Sequence, residues 1–199
     1  MSTDSYLISD ISTDYYESVT FTAGESNFVH LDEVEFYECE FDGISFFKGQ
    51  ITNCRFENCK FTNCDLSLVN INCSQFIEVE FNNCKLAGLD WRTAMKPFTI
   101  KFNESKLNDS IFFGLDLRGA EFISSEVRHC DFERCNMAKV SFLQSDLLNS
   151  KFSTTNLTQA DFTLATNYAI DPEANKIKKA KFNQPEVLAL LDGFDIIIE

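Results

Sequence analysis

The side chains best suited to chemistry are eight cysteines and two histidines. Cys54, Cys59 and Cys64 follow one another at five-residue steps, as do Cys130 and Cys135. Thiolates and imidazoles hold zinc when closely spaced ligands converge on one point. His129, Cys130 and Cys135 come nearest to such a set, and His30 stands apart. Carboxylates are abundant: 31 Asp and Glu face 17 Lys and Arg, for a formal charge of −14. General acid–base work needs such groups inside an enclosed pocket. The sequence has no phosphate-cradling glycine loop, nucleophile elbow or zinc-protease motif. What these residues can do therefore depends on the element that carries them.

That element has a period of five. Phe21, Leu31, Phe36, Phe41, Phe46, Ile51, Phe56, Phe61, Leu66, Ile71, Phe76, Phe81, Leu86 and Trp91 lie on one five-residue frame, which only Ser26 breaks. The frame slips by one residue and resumes from Phe102 through Phe112, Phe122, Phe132, Phe142 and Phe152 to Phe162, with Leu, Val or Met between them. Two positions earlier the residues are mostly small, as at Cys39, Cys59, Ser105, Ala120 and Ser145. A strand repeats every two residues and a helix every 3.6, so neither explains the pattern. The chain must turn a corner every five residues and send one large and one small side chain inward each time.

This frame reassigns the reactive residues. Seven of the eight cysteines occupy the small inward position, and Cys73 alone lies outside it. Successive thiols then face different sides of the coil, where Cys serves as a compact apolar residue. Both histidines fall on outward positions. The sequence predicts packing thiols, no metal, no cofactor and no catalytic site.

Cys59-Lys60-Phe61-Thr62-Asn63, Ala120-Glu121-Phe122-Ile123-Ser124 and Ala160-Asp161-Phe162-Thr163-Leu164 resemble the consensus of the pentapeptide-repeat family: small, polar, Leu or Phe, polar, polar. The resemblance covers residues 19–166. It implies an all-β fold, a right-handed quadrilateral β-helix with four pentapeptides per coil. Residues 19–166 then make about seven coils, roughly 34 Å at the usual strand spacing. The ten-residue alternation after Phe102 predicts two opposite columns, one of Phe102, Phe122, Phe142 and Phe162 and one of Phe112, Phe132 and Phe152.

Residues 1–18 keep the frame poorly and read as an N-terminal cap or arm. The slip at 92–99, with Lys96-Pro97, reads as a bulge that kinks the rod. Residues 167–199 form a C-terminal capping or dimerisation segment, with a short helix over Gln184–Gly193 and a strand over Phe194–Ile198. Val187, Leu188, Leu190, Leu191, Phe194, Ile196, Ile197 and Ile198 either cap the last coil or join a second copy, and a homodimer is the favoured reading.

Charge is uneven. Residues 1–90 carry 16 acidic and 4 basic residues, whereas residues 91–199 carry 15 and 13. Asp32, Glu33, Glu35, Glu38, Glu40 and Asp42 form the densest cluster and are the expected partner-binding surface. So acidic a surface repels free nucleic acid and suits a basic protein groove. The best understood relatives of this kind are bacterial rods that dimerise through their C-termini. They occupy the DNA-binding saddle of type II topoisomerases and protect gyrase from quinolones or gyrase-poisoning peptides. The resemblance implies that role for this chain, as a DNA mimic acting on DNA gyrase or topoisomerase IV. The alternative is an interaction module for another protein. No apolar run approaches membrane-spanning length. Met1-Ser2-Thr3-Asp4-Ser5 does not open a signal peptide, which with the cysteines predicts a cytoplasmic protein.

Overall fold

The computed structural model describes residues 5–24, 29–97, 99–194 and 196–197. Its chain winds as a β-solenoid. Each pentapeptide contributes a short extended rung that lies parallel to the rung 20 residues on. Thr20–Thr22, Glu40–Asp42, Lys60–Thr62, Val79–Asn82, Ile100–Asn103 and Glu121–Ile123 stack into one parallel sheet that begins at Ser5–Leu7. Single bridges from Glu121 to Ser141, Asp161 and Lys181 extend it. A second sheet stacks Tyr15–Glu17, Glu35–Tyr37, Arg55–Glu57 and Gln75–Ile77, and a third pairs His30–Asp32 with Gln50–Thr52.

The rungs are separated by corners. The last residue of nearly every pentapeptide has φ near +55°, as at Glu33, Glu38, Asn53, Asn58, Asn63 and Asn83. Asn tolerates this left-handed conformation better than most residues, which accounts for its frequency there. Between corners the backbone is satisfied coil to coil: the Lys60 N–H donates to the Cys39 carbonyl at 2.9 Å and the Phe162 N–H to the Lys181 carbonyl at 2.9 Å. The tight inward position leaves no room at Gly49, where a Cβ would lie 2.5 Å from the Val29 carbonyl oxygen.

Four faces result, each defined by its inward column. The first carries Phe21, Phe41, Phe61, Phe81, Phe102, Phe122, Phe142, Phe162 and Phe182, stacked ring on ring at 4.5–5.3 Å. The second carries Phe46, Leu66, Leu86, Leu107, Val127 and Leu147. The third carries Leu31, Ile51, Ile71, Trp91, Phe112, Phe132 and Phe152, and the fourth carries Phe36, Phe56, Phe76, Leu117, Met137 and Leu157. The two expected Phe columns are present, on the first and third faces. Below the slip the second aromatic column runs up the fourth face instead.

The small inward position has a second duty. The Ser145 hydroxyl donates to the Phe122 carbonyl at 2.8 Å and accepts from the Ser125 N–H at 2.9 Å. Ser105, Ser125 and Ser150 make the same two bonds. Cysteine supplies the donor half of this relay: the Cys130 thiol donates to the Leu107 carbonyl at 3.2 Å and Cys135 to Phe112 at 3.0 Å. A buried carbonyl left unpaired is costly, so Ser, Thr and Cys at this site are structural.

Expectations change at both ends of the rod. Rungs on the first face run from Thr20 to Lys181, so the count exceeds seven coils. The frame survives the polar loop after Ala165 because Tyr168 and Ile170 fill the core there, and Phe182 returns to stack on Phe162 at 5.1 Å. At the other end Ser5–Leu7 pairs with Thr20–Thr22, making a shortened first turn. The C-terminal helix is a 3-10 helix over Glu186–Phe194 that lays Ala189 and Leu190 on the core. The expected strand over Phe194–Ile198 is not found among the described residues: Phe194 ends the helix and Ile196 and Ile197 have no ladder partner. A strand needs an open edge to join, and the helix already takes up this end of the rod. Asp195 and Ile198 lie outside the described residues.

Candidate binding surface

Everything the rod offers a partner comes from the three outward positions of each pentapeptide. Asp32, Glu33, Glu35, Glu38, Glu40 and Asp42 are all exposed. They occupy three successive sides of one coil: Asp32 and Glu33 the third face, Glu35 and Glu38 the fourth, Glu40 and Asp42 the first. They form a belt one coil high. The Asp32 carboxylate accepts from Thr52 Oγ1 at 2.6 Å and from Asn53 Nδ2 at 2.9 Å, and these bonds hold it below the usual carboxylate range. Asp42 accepts from Asn63 Nδ2 at 3.2 Å. The coil above supplies cations in register, with Arg55 over Glu35 and Lys60 over Glu40.

That alternation continues along the first face as Glu40, Lys60, Glu80, Lys101 and Glu121, with Asp161 and Lys181 at the top. Lys101 Nζ lies 4.0 Å from Glu80 and 3.4 Å from Glu121, and Lys181 Nζ 2.9 Å from Asp161. Such exposed pairs add little stability each. Their larger effect is to interrupt the acidic band.

Linear clustering does not find every carboxylate of this surface. Glu17, Glu57 and Glu78 join Glu35 and Glu38 on the fourth face because Glu17 pairs with Tyr37, Tyr37 with Glu57, and the Glu38 corner sits beside Glu57. The signal was a 20-residue spacing.

The thiols are placed as expected. Cys39, Cys54, Cys59, Cys64, Cys84, Cys130 and Cys135 are buried and Cys73 is exposed. Burial pushes Cys54 and Cys135 up to about 11 and Cys130 to about 12. Hydrogen bonding to Cys39 and burial raise Cys59 as well. Protonated thiols are poor ligands and poor nucleophiles. Among the described residues no His, Cys, Asp and Glu group could hold a metal ion. Both histidines are exposed.

At the C-terminus Val187, Leu190 and Leu191 are half-buried, while Leu188, Phe194, Ile196 and Ile197 are exposed, Ile197 at 90%. No helix among the described residues is long and apolar enough to cross a membrane.

Comparison with known proteins agrees with this geometry. A family model described as a pentapeptide repeat region matches residues 74–162, and one described as pentapeptide repeats (8 copies) matches residues 50–92. Together they cover more than half of the chain. The chain belongs to the pentapeptide-repeat family. Among solved members, this pentapeptide-repeat chain is similar to full-length QnrB1, a plasmid-mediated fluoroquinolone resistance protein, at a TM-score of 0.73 and 16% identity over 97% of this chain and 95% of that one. A trypsin-treated form of QnrB1 gives 0.66 at 16% identity over the whole of both chains. HetL, a pentapeptide-repeat protein involved in heterocyst differentiation regulation from the cyanobacterium Nostoc sp., gives 0.42 at 13% identity over 83% and 84%. No curated protein sequence matches the chain.

Proposed function

We propose that the chain is a non-catalytic cytoplasmic rod that acts as a DNA mimic. Its acidic N-terminal half docks into a cationic groove of a type II topoisomerase, DNA gyrase or topoisomerase IV, and protects or regulates that enzyme. The observation that carries this reading is the acidic belt of Asp32, Glu33, Glu35, Glu38, Glu40 and Asp42, projected from three sides of a stiff coil. Carboxylates held at fixed spacing on a ladder can stand in for phosphates where a groove is lined with Lys and Arg. The shared fold with a fluoroquinolone resistance protein along nearly its full length supports the same reading. Two rods join through Leu188, Phe194, Ile196 and Ile197, whose exposed apolar side chains suit a seam between copies.

A second reading has its own support. The alternating charges of the first face break the acidic band above the belt, as an interaction module for a different protein would allow. Titrating immobilised gyrase with the full-length protein at rising salt separates the two. The mimic reading expects micromolar or tighter binding that weakens steeply with salt. Absence of binding to both gyrase and topoisomerase IV at low salt leaves the interaction module.

A further inference from the structure

Charge on the fourth face is sorted by height. Its lower half presents Glu17, Glu35, Glu38, Glu57 and Glu78 against the single cation Arg55. Its upper half presents Lys96, Arg118, Lys139, Lys176, Lys178 and Lys179 against the single carboxylate Asp116. The register shows that these residues share one side. Tyr15 pairs with Glu35, Glu35 with Arg55, Arg55 with Gln75 and Gln75 with Met95, and the column resumes as Asp116, Asn136, Asn156 and Lys176. On the first face opposite charges alternate and neutralise one another within the rod. On the fourth face the ion pairs among the described residues are Arg55–Glu57 and Arg118–Asp116, so most charges here have no counter-charge from their own chain.

The boundary between the halves is also a change of shape. Met95 keeps its bridge to Gln75, while Lys96, which follows Phe76 by 20 residues, is exposed together with Pro97. Lys96, Pro97 and Thr99 line a groove of about 870 Å³ together with Asp116, Arg118, Gly119 and Lys139. The face is thus recessed at the height where the sign of charge reverses.

A two-fold axis lying in the plane of this face, across the rod at that height, sets each lower half on the other copy's upper half. The Glu17 rung then meets the Lys176–Lys179 rung, the Glu57 rung meets Lys139 and the Glu78 rung meets Arg118. A parallel arrangement would lay like charge on like charge along the whole face. Self-complementarity under a two-fold axis is the defining property of an isologous interface.

We propose that the fourth face is a docking surface for a second copy of this chain, laid antiparallel, acidic half on basic half. The interface is independent of the apolar C-terminal seam and does not rest on the topoisomerase reading. It bears on that reading in one way: Glu35 and Glu38 belong to both the belt and this face, so a cationic partner and a second copy compete for that side.

Sedimentation velocity of the full-length protein tests the proposal. At about 0.05 M salt the mass should be double that of the species present at about 0.5 M, where screening removes the attraction. That high-salt species, monomer or dimer, reports the C-terminal seam separately. Two surface variants make the test specific. In one, Lys139→Glu, Lys176→Glu, Lys178→Glu and Lys179→Glu make both halves of the face net acidic. In the other, Glu17→Lys, Glu35→Lys, Glu57→Lys and Glu78→Lys make both halves net basic. Each alone should lose the salt-dependent doubling, and an equimolar mixture should recover it. A wild-type protein with the same mass at both salts overturns the proposal. So do variants that still double alone, or a mixture that does not associate while each variant keeps the wild-type circular dichroism.

Discussion

Phe76 and Trp91 meet edge to face, with ring centroids 5.5 Å apart and planes at 67°. This contact hands the second aromatic column from the fourth face to the third. Below it Phe36, Phe56 and Phe76 stack on the fourth face; above it Trp91 stacks flat on Phe112 at 5.7 Å and the column continues through Phe132 and Phe152. The change coincides with the bulge, which withdraws Lys96 from the position an aromatic would fill. The indole of Trp91 on the neighbouring face packs edge-on to Phe76, Phe81 and Phe102.

Trp91→Ala should therefore destabilise the rod by about 3–5 kcal/mol, the range for removing a large buried aromatic. Gln144→Ala, at an exposed corner, should change stability by less than about 0.5 kcal/mol. Urea unfolding checks both. Equal effects would mean that the inward frame is misassigned at this height.

The hydroxyl relay gives a second expectation. Ser145→Ala leaves the Phe122 carbonyl and the Ser125 N–H without their partner and should cost about 1–3 kcal/mol. Ser145→Cys keeps a donor, as Cys130 and Cys135 do at equivalent positions, and should cost less. A larger loss for the Cys variant would contradict the relay.

How much of this the sequence reveals depends on the range of the pattern. The five-residue frame is legible because every rung makes the same demand: one large and one small inward side chain, as at Phe61 and Cys59. The cysteines were placed correctly for the same reason. Relations across coils are harder to read. Glu17, Glu57 and Glu78 meet Glu35 and Glu38 only once 20 residues have closed a turn, so clustering along the chain shows two of these five carboxylates. The last coil is hard to read because polar Asn167 stands where the pattern expects an apolar residue, while Tyr168 and Ile170 keep the core filled and the frame resumes at Phe182. The strand over Phe194–Ile198 was predicted from apolar content, which cannot tell a strand from a helix end without a ladder partner.

Acid should weaken the upper coils. Burial raises the pKa of Asp146, but its bonds to Asn167 and Arg128 outweigh burial and hold it below the usual carboxylate range. Asp161, bonded to Thr163 and Lys181, is depressed in the same way. A depressed folded-state pKa contributes stability above the unfolded value, about pH 4, and loses it as pH falls through the folded value. The thermal midpoint should fall steadily below about pH 4, and less so in Asp146→Asn. An identical slope in that variant would contradict the assignment.

The proposed C-terminal seam predicts a clean separation of assembly from folding. Leu188→Asp combined with Phe194→Asp alters exposed side chains and should halve the mass at high salt while the far-ultraviolet circular dichroism stays unchanged. A wild-type mass would show that these residues do not join two rods.

The topoisomerase reading is tested most directly by gyrase supercoiling with a quinolone present, with and without full-length protein at micromolar concentration. The account predicts that the protein alters supercoiling or restores it against the drug. It also predicts a weaker effect when Asp32, Glu33, Glu35, Glu38, Glu40 and Asp42 are neutralised together, and a weaker effect as salt rises. Supercoiling that is unchanged by the folded protein, with and without the quinolone, would contradict it.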